Sequence, residues 1–488
     1  MRRVATLIVA IGLTVTGIGT CGAIQPEAPG RVPAPARLTG LVLRPGLAGP
    51  GLAAGPGQAA RPGVPAGTKV VSFDGYTIDV PASWPVYRLA TDPARCVRYD
   101  RHAVYLGPPG PNQLCPAHLV GRVATISLQA SGPPAPQPPG EQWGPARPRL
   151  SLGGLQAGGV VLQDAQDHQL WGTFPHQGLT VTATYAASPS QVSGIIRTLR
   201  WAGPAATGPA AAGQPTTGQP ATGPQVTQDA QSAAKALALA TRPDAVGRAS
   251  GHSHRRAGRH PIRGFDTCST PSLQTMRIWH RVFSAMAIYI GGPEAGCGFG
   301  SLSASWVRAV TAMGWALIPT YVGRQAPCTR FQVRIRKGHA RAQGIAAAQG
   351  AVALAASLGI GRGAPIYDDM EFYNPAKGIC RRQVLSFLNG WTRELHRLGY
   401  RSGVYSSASA AAANLGRASH VYQWRLAKPN SIWFALWDGR ANLNGTPYVL
   451  PAWWPSHRLK QYMGGHRRRV GGIALNIDSD LVDGAVYR

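Results

Sequence analysis

The 488-residue sequence predicts an α/β fold, with a (β/α)8 TIM-type barrel at the carboxyl terminus preceded by a small, mainly β domain. Three observations carry this prediction. Strand-like and helix-like segments alternate from residue 262 onward, eight strand candidates fill that region, and seven of its ten acidic residues lie at or beyond predicted strand ends. Such alternation indicates a parallel α/β architecture, and barrel enzymes build their active sites at the carboxyl ends of the strands.

The amino terminus has the pattern of an export signal over residues 1–23. Arg2 and Arg3 precede an apolar run that is too short to span a membrane, and small residues follow. Two cleavages stay open: one before Cys21, which would leave a lipid anchor there, and one after Ala23. Thr20 disfavours the first, because it is a poor residue before a lipidated cysteine. The sequence predicts a secreted or cell-surface protein without a later transmembrane segment.

Two stretches are too rich in Pro, Gly and Ala to bury a core, and we expect both to be disordered. They are a tether over residues 24–66 and a linker over residues 205–261. The histidines near the end of the linker are interpreted as solvated rather than metal-binding. The net charge of +29 fits anionic wall polymers outside the cell, or compositional bias alone. No nucleic-acid-binding motif accompanies that charge, so nucleic acid is not an expected partner.

Residues 67–204 have the alternating pattern of a β domain. The segments VVSFDGYTIDV, VATISLQA and LTVTATYAA alternate between apolar and polar residues, and SPSQVSGIIRTLRWA closes the region as a helix. No catalytic constellation is visible within it. A wall-binding role and a spacer role both remain open for this domain.

The cysteines agree with export. Apart from Cys21, Cys96 and Cys115 fall in the β domain and four more fall in the barrel, namely Cys268, Cys297, Cys328 and Cys380. An even number in each region predicts one disulfide, Cys96 to Cys115, and then two whose pairing stays open. The absence of a CxxC pair argues against structural zinc. We expect neither a metal nor a cofactor.

The barrel strands can be placed in order along the chain. Helical segments separate most of them, among them SLQTMRIWHRVF, SASWVRAVTAMG and RRQVLSFLNGWTRELHRLG. The eight strand candidates are IRGFD, AMAIYIGG, WALIPTYVG, APIYDDMEFY, RSGVYSS, SIWFALWDG, RLKQYMGG and IALNID. Eight such units suit a closed barrel.

Carboxylates mark one end of this barrel. Beyond strand candidates one, four, six and eight lie Asp266, then Asp368, Asp369 and Glu371, then Asp438, and finally Asp478 and Asp480. Strands one and eight are neighbours and strand four faces them, so most of these groups are expected to converge. Cleaving a glycosidic bond needs one protonated carboxyl and one ionised carboxylate. Alternation puts Asp369 and Glu371 on the same side of their strand, with Met370 facing the helices.

Aromatic side chains near the strand ends suggest a sugar ligand, because sugar rings stack on aromatic faces. The substrate-binding residues that we predict are Tyr373, Tyr405, Trp437, Gln461 and Tyr462. The alternative is that half of the aromatic residues near strand ends pack in the core or rim of the barrel.

Several of these segments carry a resemblance that covers residues 262–488. GFDTCS, YVGRQ, PIYDDMEFY, SGVYSS, KQYMGG and NIDSDLVDG resemble the glycoside hydrolase-like barrel domain of secreted actinobacterial proteins, which is similar to family 25 lysozymes. The resemblance implies that Asp266, Asp369, Glu371 and one of Asp478 or Asp480 occupy active-site positions, with Glu371 as the general acid.

Two residues depart from the family pattern. Lys460 replaces a histidine that often precedes the Gln-Tyr pair, and Asp368 stands beside the D-x-E motif. A lysine near the carboxylates would lower their pKa and weaken an acid role.

Two functions follow as hypotheses. The first is an exported hydrolase of cell-wall glycan such as peptidoglycan, of the lysozyme or muramidase type. The second is a catalytically silent barrel that binds glycan and localises to the wall. The D-x-E motif of Asp369 and Glu371 favours the enzyme, since a binding module needs no carboxyl poised as an acid.

Overall fold

The computed structural model describes residues 67–130, 150–151, 153–203, 260–298, 302–421 and 425–488. The predicted signal peptide with Cys21, the tether, and residues 205–259 of the predicted linker lie outside the described residues. Within the described part of the chain, no helix is long and apolar enough to cross a membrane.

The amino-terminal domain is mainly β, as predicted. Its strands are β1 (Thr68–Phe73), β2 (Tyr76–Pro81), β3 (Val86–Arg88), β4 (Val104–Leu106), β5 (Thr125–Ala130), β6 (Leu150–Ser151), β7 (Val160–Asp164), β8 (Gln169–Phe174), β9 (Leu179–Thr184) and β10 (Arg200–Trp201). A three-stranded sheet has the order β1-β2-β10, and a seven-stranded sheet has the order β3-β4-β5-β9-β8-β7-β6. Helix α1 (Ser190–Arg197) buries Val192, Ile195 and Ile196 in the core of this domain. This helix therefore packs an apolar face against the core of the domain.

The carboxy-terminal region is a closed barrel of eight strands. They are β11 (Ile262–Asp266), β12 (Ala285–Gly291), β13 (Ala316–Tyr321), β14 (Pro365–Met370), β15 (Arg401–Ser407), β16 (Ser431–Ala435), β17 (Arg458–Val470) and β18 (Ile473–Asp483). Its helices are α2 (Leu273–Trp279), α3 (Ala304–Ala312), α4 (Ala340–Ser357), α5 (Gly378–Arg397) and the short α6 (Ala413–Gly416), flanked by π-helical turns at Ala408–Ala412 and Arg417–Val421. All eight predicted strands form.

The expectation of eight parallel β/α units is wrong for the last strand. Strand β18 pairs antiparallel with both β17 and β11, whereas the other neighbouring strands of the barrel are parallel. Only Gly471 and Gly472 separate β17 from β18, and both have positive φ, at 53° and 83°. Two residues can form a hairpin but cannot carry the crossover that parallel strands need. In the described part of the barrel, no helix follows β16 or β17.

This reversal changes how two predicted carboxylates reach the barrel mouth. Asp478 and Asp480 lie inside β18 rather than beyond its end. Because β18 runs toward the opposite end of the barrel, its residue Asp478 pairs with Asp266, the last residue of β11. Asp480 pairs with Gly264 and lies deeper in the barrel. Asp478 therefore reaches the mouth beside Asp266, as predicted, but from within an antiparallel strand rather than from beyond the end of a parallel one.

Alternation along the strands separates the barrel interior from the layer beneath the helices. The interior contains Ala285, Ala287, Ala316, Ile318, Tyr367, Tyr405, Trp433, Leu459 and Val482. Met370 belongs to the other layer, with the buried faces of the helices, as predicted. Asp369 has the opposite orientation to Met370 and the same one as Tyr367, so its carboxyl faces the axis of the barrel.

The amino-terminal domain covers the mouth of the barrel with residues 96–122, which we call the cap segment. Backbone hydrogen bonds join it to the loop after β12: the amide of Tyr99 donates to the Gly296 carbonyl at 2.9 Å, and the amide of Gly121 donates to the Glu294 carbonyl at 2.7 Å. Side chains hold both flanks. The Asn112 carbonyl oxygen accepts from Thr275 at 2.8 Å, and Asn476 donates to the backbone of the cap at 2.8 Å.

Three disulfides form. The predicted bridge between Cys96 and Cys115 is confirmed, and the four later cysteines form two bridges within the barrel, as expected. They pair as Cys268 with Cys297 and Cys328 with Cys380. The cap bridge and the Cys268–Cys297 bridge pack in one buried cluster with Leu119, Tyr289 and Ala295. Residues of both domains thus share a core.

Arg122 offers a test of how tightly the two domains are joined. Its side chain is buried, and it donates to the Ala295 carbonyl at 2.9 Å and to the Asp167 carbonyl. Hydrogen bonds from a charged donor contribute about 1.5–3 kcal/mol each. We expect Arg122→Ala to lower the free energy of unfolding by about 3 kcal/mol or more, measured by denaturant titration.

The matched control for Arg122 is Arg101→Ala, because the Arg101 side chain is exposed and lies in the same domain. Calorimetry of the wild type should show one transition for the amino-terminal domain and the barrel together. Two separate transitions in the wild type would contradict this account of the domain junction.

Candidate active site

Gln461 organises the floor of the barrel mouth. Its amide nitrogen donates to the carboxyls of Asp266 at 2.9 Å and Asp478 at 3.1 Å. Its carbonyl oxygen accepts from the Tyr405 hydroxyl at 3.0 Å and from the Trp437 indole at 2.9 Å. One buried amide from β17 therefore joins two carboxyls to two aromatic residues, all of them among the residues that the sequence predicts for the site.

Asp369 and Glu371 come from the end of β14, where Gln325 holds the backbone. The Gln325 amide nitrogen donates to the Asp369 carbonyl at 2.8 Å, and its carbonyl oxygen accepts from the Glu371 backbone amide at 2.8 Å. These two bonds clamp the chain on both sides of Met370. Both carboxyls consequently point toward the mouth, as the D-x-E spacing predicts.

A histidine from the cap segment enters this cluster. The Nε2 atom of His118 lies 3.0 Å from a carboxylate oxygen of Glu371 and 3.5 Å from one of Asp369. Its Nδ1 atom lies 2.5 Å from the hydroxyl of Tyr289, a residue of β12. The imidazole therefore fills the space between strands β12 and β14, directly over the predicted catalytic pair.

The hydroxyl of Tyr289 links the imidazole to the deeper carboxyls, because it lies 2.9 Å from a carboxyl oxygen of Asp266 and 2.5 Å from Nδ1 of His118. When Tyr289 donates to Asp266, Nδ1 of His118 carries a proton and donates to Tyr289. In that tautomer Nε2 faces the two carboxyls, and a second ring proton or a metal ion at Nε2 would compensate their negative charge.

The charged groups in this cluster shift one another's pKa values. Burial opposes a charge on His118, but Asp369 and Glu371 outweigh it and raise the pKa of His118 to about 10. Burial likewise raises the pKa of Glu371, but the hydrogen bond and charge of His118 outweigh that effect and hold this pKa below its usual value. The pKa of Asp369 lies well above its usual value because of burial and the nearby Glu371. The imidazole of His118 therefore favours the ionised form of Glu371 more strongly than that of Asp369.

The deeper carboxyls are held largely without charge. Burial and the neighbouring Asp480 raise the pKa of Asp266 well above its usual value. Burial and Asp266 raise the pKa of Asp478 to about 8. Asp480 accepts from the Trp433 indole at 2.9 Å, and burial raises its pKa as well. Carboxyls this close share protons rather than ionise together.

Several residues that the sequence singles out lie elsewhere. Lys460 binds the Asp438 carboxylate at 2.8 Å and 2.9 Å, so the expected effect of this lysine on the cluster is wrong. Asp368 has the orientation of Met370, toward the helices. Tyr373 is buried in the helix layer and its hydroxyl accepts from Asn414 at 2.7 Å. Tyr462 lies at an irregularity of β17, where its backbone carbonyl accepts from the Gly439 amide at 3.0 Å.

Three residues of the site escape sequence reasoning: His118, Tyr289 and Gln325. Gln325 lies in the YVGRQ motif, and Tyr289 lies at the end of a predicted strand, so position offered a signal for both. His118 offered none, because it belongs to a domain without a catalytic pattern. Only the packing of the cap segment on the barrel brings it to the carboxylates.

The buried carboxyls predict how stability depends on pH. The folded protein retains a proton on Asp478 up to about pH 8, whereas the unfolded chain releases it near pH 4. The stability that this proton contributes is complete below about pH 4 and is lost as the pH rises to about 8. We expect the melting temperature to fall as the pH rises from about 5 to about 8. The fall should be at least about 2–4 °C, which is the shift that a loss of about 1 kcal/mol in unfolding free energy produces.

Asp478→Asn should make that fall smaller, because the amide does not titrate. Asp438→Asn is the control, since Lys460 lowers the pKa of Asp438 and this carboxyl stays ionised over the same interval. An Asp478→Asn variant with the same pH profile as the wild type would contradict the assignment.

Parts of this chain are similar to known structures, at low sequence identity. An uncharacterized protein of B. stearothermophilus is 20% identical, with 46% of this chain and all of that chain covered and a TM-score of 0.32. The modular autolysin LytC of Streptococcus pneumoniae is 13% identical, with 48% of this chain and 47% of that chain covered and a TM-score of 0.30. A family 25 glycosyl hydrolase of Bacillus anthracis is 13% identical, with coverages of 48% and 94% and a TM-score of 0.29.

No curated protein matches the chain. Residues 277–482 match the family described as Rv2525c-like, glycoside hydrolase-like domain. This segment includes every barrel strand except β11, and with them Asp369, Glu371, Gln461, Asp478 and Asp480. Over these residues the barrel matches the model of the Rv2525c-like, glycoside hydrolase-like domain, in agreement with the resemblance of its strand-end motifs.

Proposed function

We propose that the barrel hydrolyses cell-wall glycan, with peptidoglycan as the substrate and Glu371 and Asp369 as the reacting pair. One observation carries the proposal: two carboxyls at the end of β14 face a mouth that also holds Asp266, Asp478 and an aromatic residue bonded to the same glutamine. Paired carboxyls are the machinery of glycosidic cleavage. The family 25 hydrolase and the autolysin among the similar structures agree with this substrate class.

Glu371 is the better placed of the two carboxyls to meet a substrate. A quarter of its side chain is exposed, whereas Asp369 is buried beneath it. As general acid, Glu371 would protonate the oxygen of the leaving sugar, and Asp369 would support the positive charge that develops on the sugar ring. His118 keeps Glu371 ionised while the cap is in place. Protonation of Glu371 therefore requires the imidazole to withdraw.

Access of glycan to the pair also depends on the cap segment. Asp266, Asp369 and Asp478 are all buried, and His118 lies over the pair. We infer that a glycan chain reaches them only after residues 96–122 move off the mouth. The covered state would then be a resting state of the hydrolase.

Trp437 supports the second candidate function, a silent glycan-binding barrel. Its ring is 65% exposed, although its indole nitrogen is tied to Gln461. A fixed, exposed aromatic face is a suitable platform for a sugar ring, and it can act while the mouth is covered. Binding through Trp437 would not need Glu371.

Export to the cell surface is part of the proposal. It rests on the leader pattern of residues 1–23 and agrees with three disulfides, which persist in oxidising compartments. The charge of +29 would further favour contact with anionic wall polymers. A lipid anchor at Cys21 remains part of the same hypothesis.

The test of hydrolysis is Glu371→Gln. Removal of a general acid costs on the order of 10²- to 10⁴-fold in rate. We expect that loss when new reducing ends are counted after digestion of purified peptidoglycan. Because the cap covers the pair, the comparison is repeated in a His118→Ala background, where the rate should be higher. Asp438→Asn is the matched control, since this carboxyl lies at the barrel mouth but binds Lys460. Equal activity of the Glu371→Gln and parent proteins would exclude the assignment.

The test of binding is Trp437→Ala. We expect this variant to lose most of its sedimentation with insoluble peptidoglycan, because the exposed stacking face is gone. Glu371→Gln should sediment like the wild type. Tyr448→Ala serves as the control, because Tyr448 is another exposed aromatic residue of the barrel. If the wild type sediments but releases no reducing ends in either background, the silent binding module is the correct function.

A further inference from the structure

The junction between the two domains places three potential metal ligands together. We propose that His118, Asp369 and Glu371 bind a single zinc ion between the cap segment and the barrel. One ligand atom from each of these side chains lies within 4.8 Å of the other two. The ligands come from both domains, so an ion held there would fasten the cap over the mouth.

The distances suit a common metal ion. Nε2 of His118 lies 3.0 Å from Glu371 and 3.5 Å from Asp369. Zinc binds imidazole nitrogen and carboxylate oxygen at about 2.0–2.2 Å in tetrahedral geometry, which sets neighbouring ligand atoms about 3.3–3.6 Å apart. Small rotations of the three side chains therefore bring them into coordination range.

The buried carboxyl of Asp369 provides an independent indication of a ligand. This side chain is fully buried, and no amide, amine or hydroxyl donor of the described residues bonds to either of its carboxyl oxygens. Only the His118 ring and the neighbouring Glu371 carboxyl approach it. A buried carboxylate without such donors is costly unless a cation compensates it.

The surroundings orient these groups as they do in metal sites. Ligating histidines commonly donate their second ring nitrogen to a neighbouring acceptor, which fixes the tautomer. Nδ1 of His118 lies 2.5 Å from the Tyr289 hydroxyl, which can accept such a hydrogen bond, and Tyr289 is itself held by Asp266. Gln325 holds the backbone of both carboxylate residues. One nitrogen of His118 and one oxygen from each carboxyl are thus held within 4.8 Å of one another.

The donor set favours zinc over harder ions. Imidazole suits zinc and other transition metals, whereas magnesium and calcium prefer oxygen ligands alone. Three protein ligands leave one tetrahedral position for water. A fifth of the His118 side chain and a quarter of that of Glu371 are exposed, although Nε2 and the facing carboxylate oxygen are themselves buried.

The inference uses the carboxyls of the proposed hydrolase but holds whether or not they cleave glycan. Zinc would occupy both and hold the cap closed, so it would act as an inhibitor of hydrolysis. The competing occupant of the same point is a proton on Nε2, which would make His118 an imidazolium bound to the two carboxyls. The experiment therefore has to distinguish a metal ion from a proton.

The test is a calorimetric titration of the chelator-treated mature protein with zinc chloride, without glycan. We expect one high-affinity ion per chain in the wild type. His118→Ala and Asp369→Asn each remove a ligand and should weaken zinc binding more than about 100-fold. Loss of a residue that only hydrogen-bonds to a ligand typically weakens binding about 10- to 100-fold. Tyr289→Phe removes only the outer contact and should fall within that smaller range. Circular dichroism confirms that each variant is folded.

The matched control is the double variant His252→Ala/His254→Ala, which removes other imidazoles of the chain and should retain the high-affinity ion. X-ray absorption of the zinc-loaded wild type should show one nitrogen and two carboxylate ligands from the protein. Zinc should also raise the melting temperature of the wild type and not that of His118→Ala.

Three results would overturn the proposal. These are no high-affinity ion in the wild type, unchanged binding in His118→Ala, or loss of the ion in the control variant. Each of them would leave a proton as the cation beside His118. None depends on whether peptidoglycan is cleaved, so failure of this inference and failure of the proposed function are separate outcomes.

Discussion

The contact between His118 and the carboxyls of Asp369 and Glu371 is the interaction on which the rest of the site depends. Burying several carboxyls at one end of a barrel is costly, because none of them keeps its hydration. The protein meets that cost in three ways: protons on the deeper carboxyls, amide and hydroxyl donors from Gln461 and Tyr289, and a cationic group at Nε2 of His118. The third comes from a different domain. The barrel mouth in this covered form is therefore complete only when the cap segment is bound.

The reversed last strand serves the same cluster. A parallel strand eight would present its carboxyl end at the mouth, and Asp478 and Asp480 would then belong to its final residues. The Gly471–Gly472 turn instead sends β18 back through the barrel beside β11, with Asp478 level with Asp266. The hairpin also places Gln461 of β17 opposite Asp480. One amide can then reach Asp266 and Asp478 together, which a longer crossover connection would not guarantee.

Covering of the mouth unites the two functional hypotheses. A hydrolase whose reacting pair is ionised unevenly and covered by its own amino-terminal domain needs an opening step before glycan binds. A binding module needs no such step, because the exposed ring of Trp437 lies outside the cover. Both use the same barrel end, and they differ in whether residues 96–122 leave it. The cap is held by backbone bonds, by the buried Arg122 and by a shared apolar cluster, so opening would require all three to be given up together.

The sequence by itself determined the local elements and one half of the site. Alternation and turn residues predict all eight barrel strands, and the period of two along β14 puts Asp369 and Glu371 on the inner face with Met370 outside. Even cysteine numbers in each region predict which regions carry disulfides. These features depend on neighbours in the chain, so they can be read from it.

Only the tertiary structure decided the direction of β18, the pairing of the later cysteines and the arrival of His118 at the carboxyls. The direction of a strand depends on where the barrel closes, and a cysteine pair depends on which loops meet. Lys460 and Gln461 show the limit most simply: they are adjacent in sequence, yet one binds Asp438 and the other holds the cluster. His118 reaches its partners from more than two hundred residues away because two domains share a core. No local pattern contains that contact.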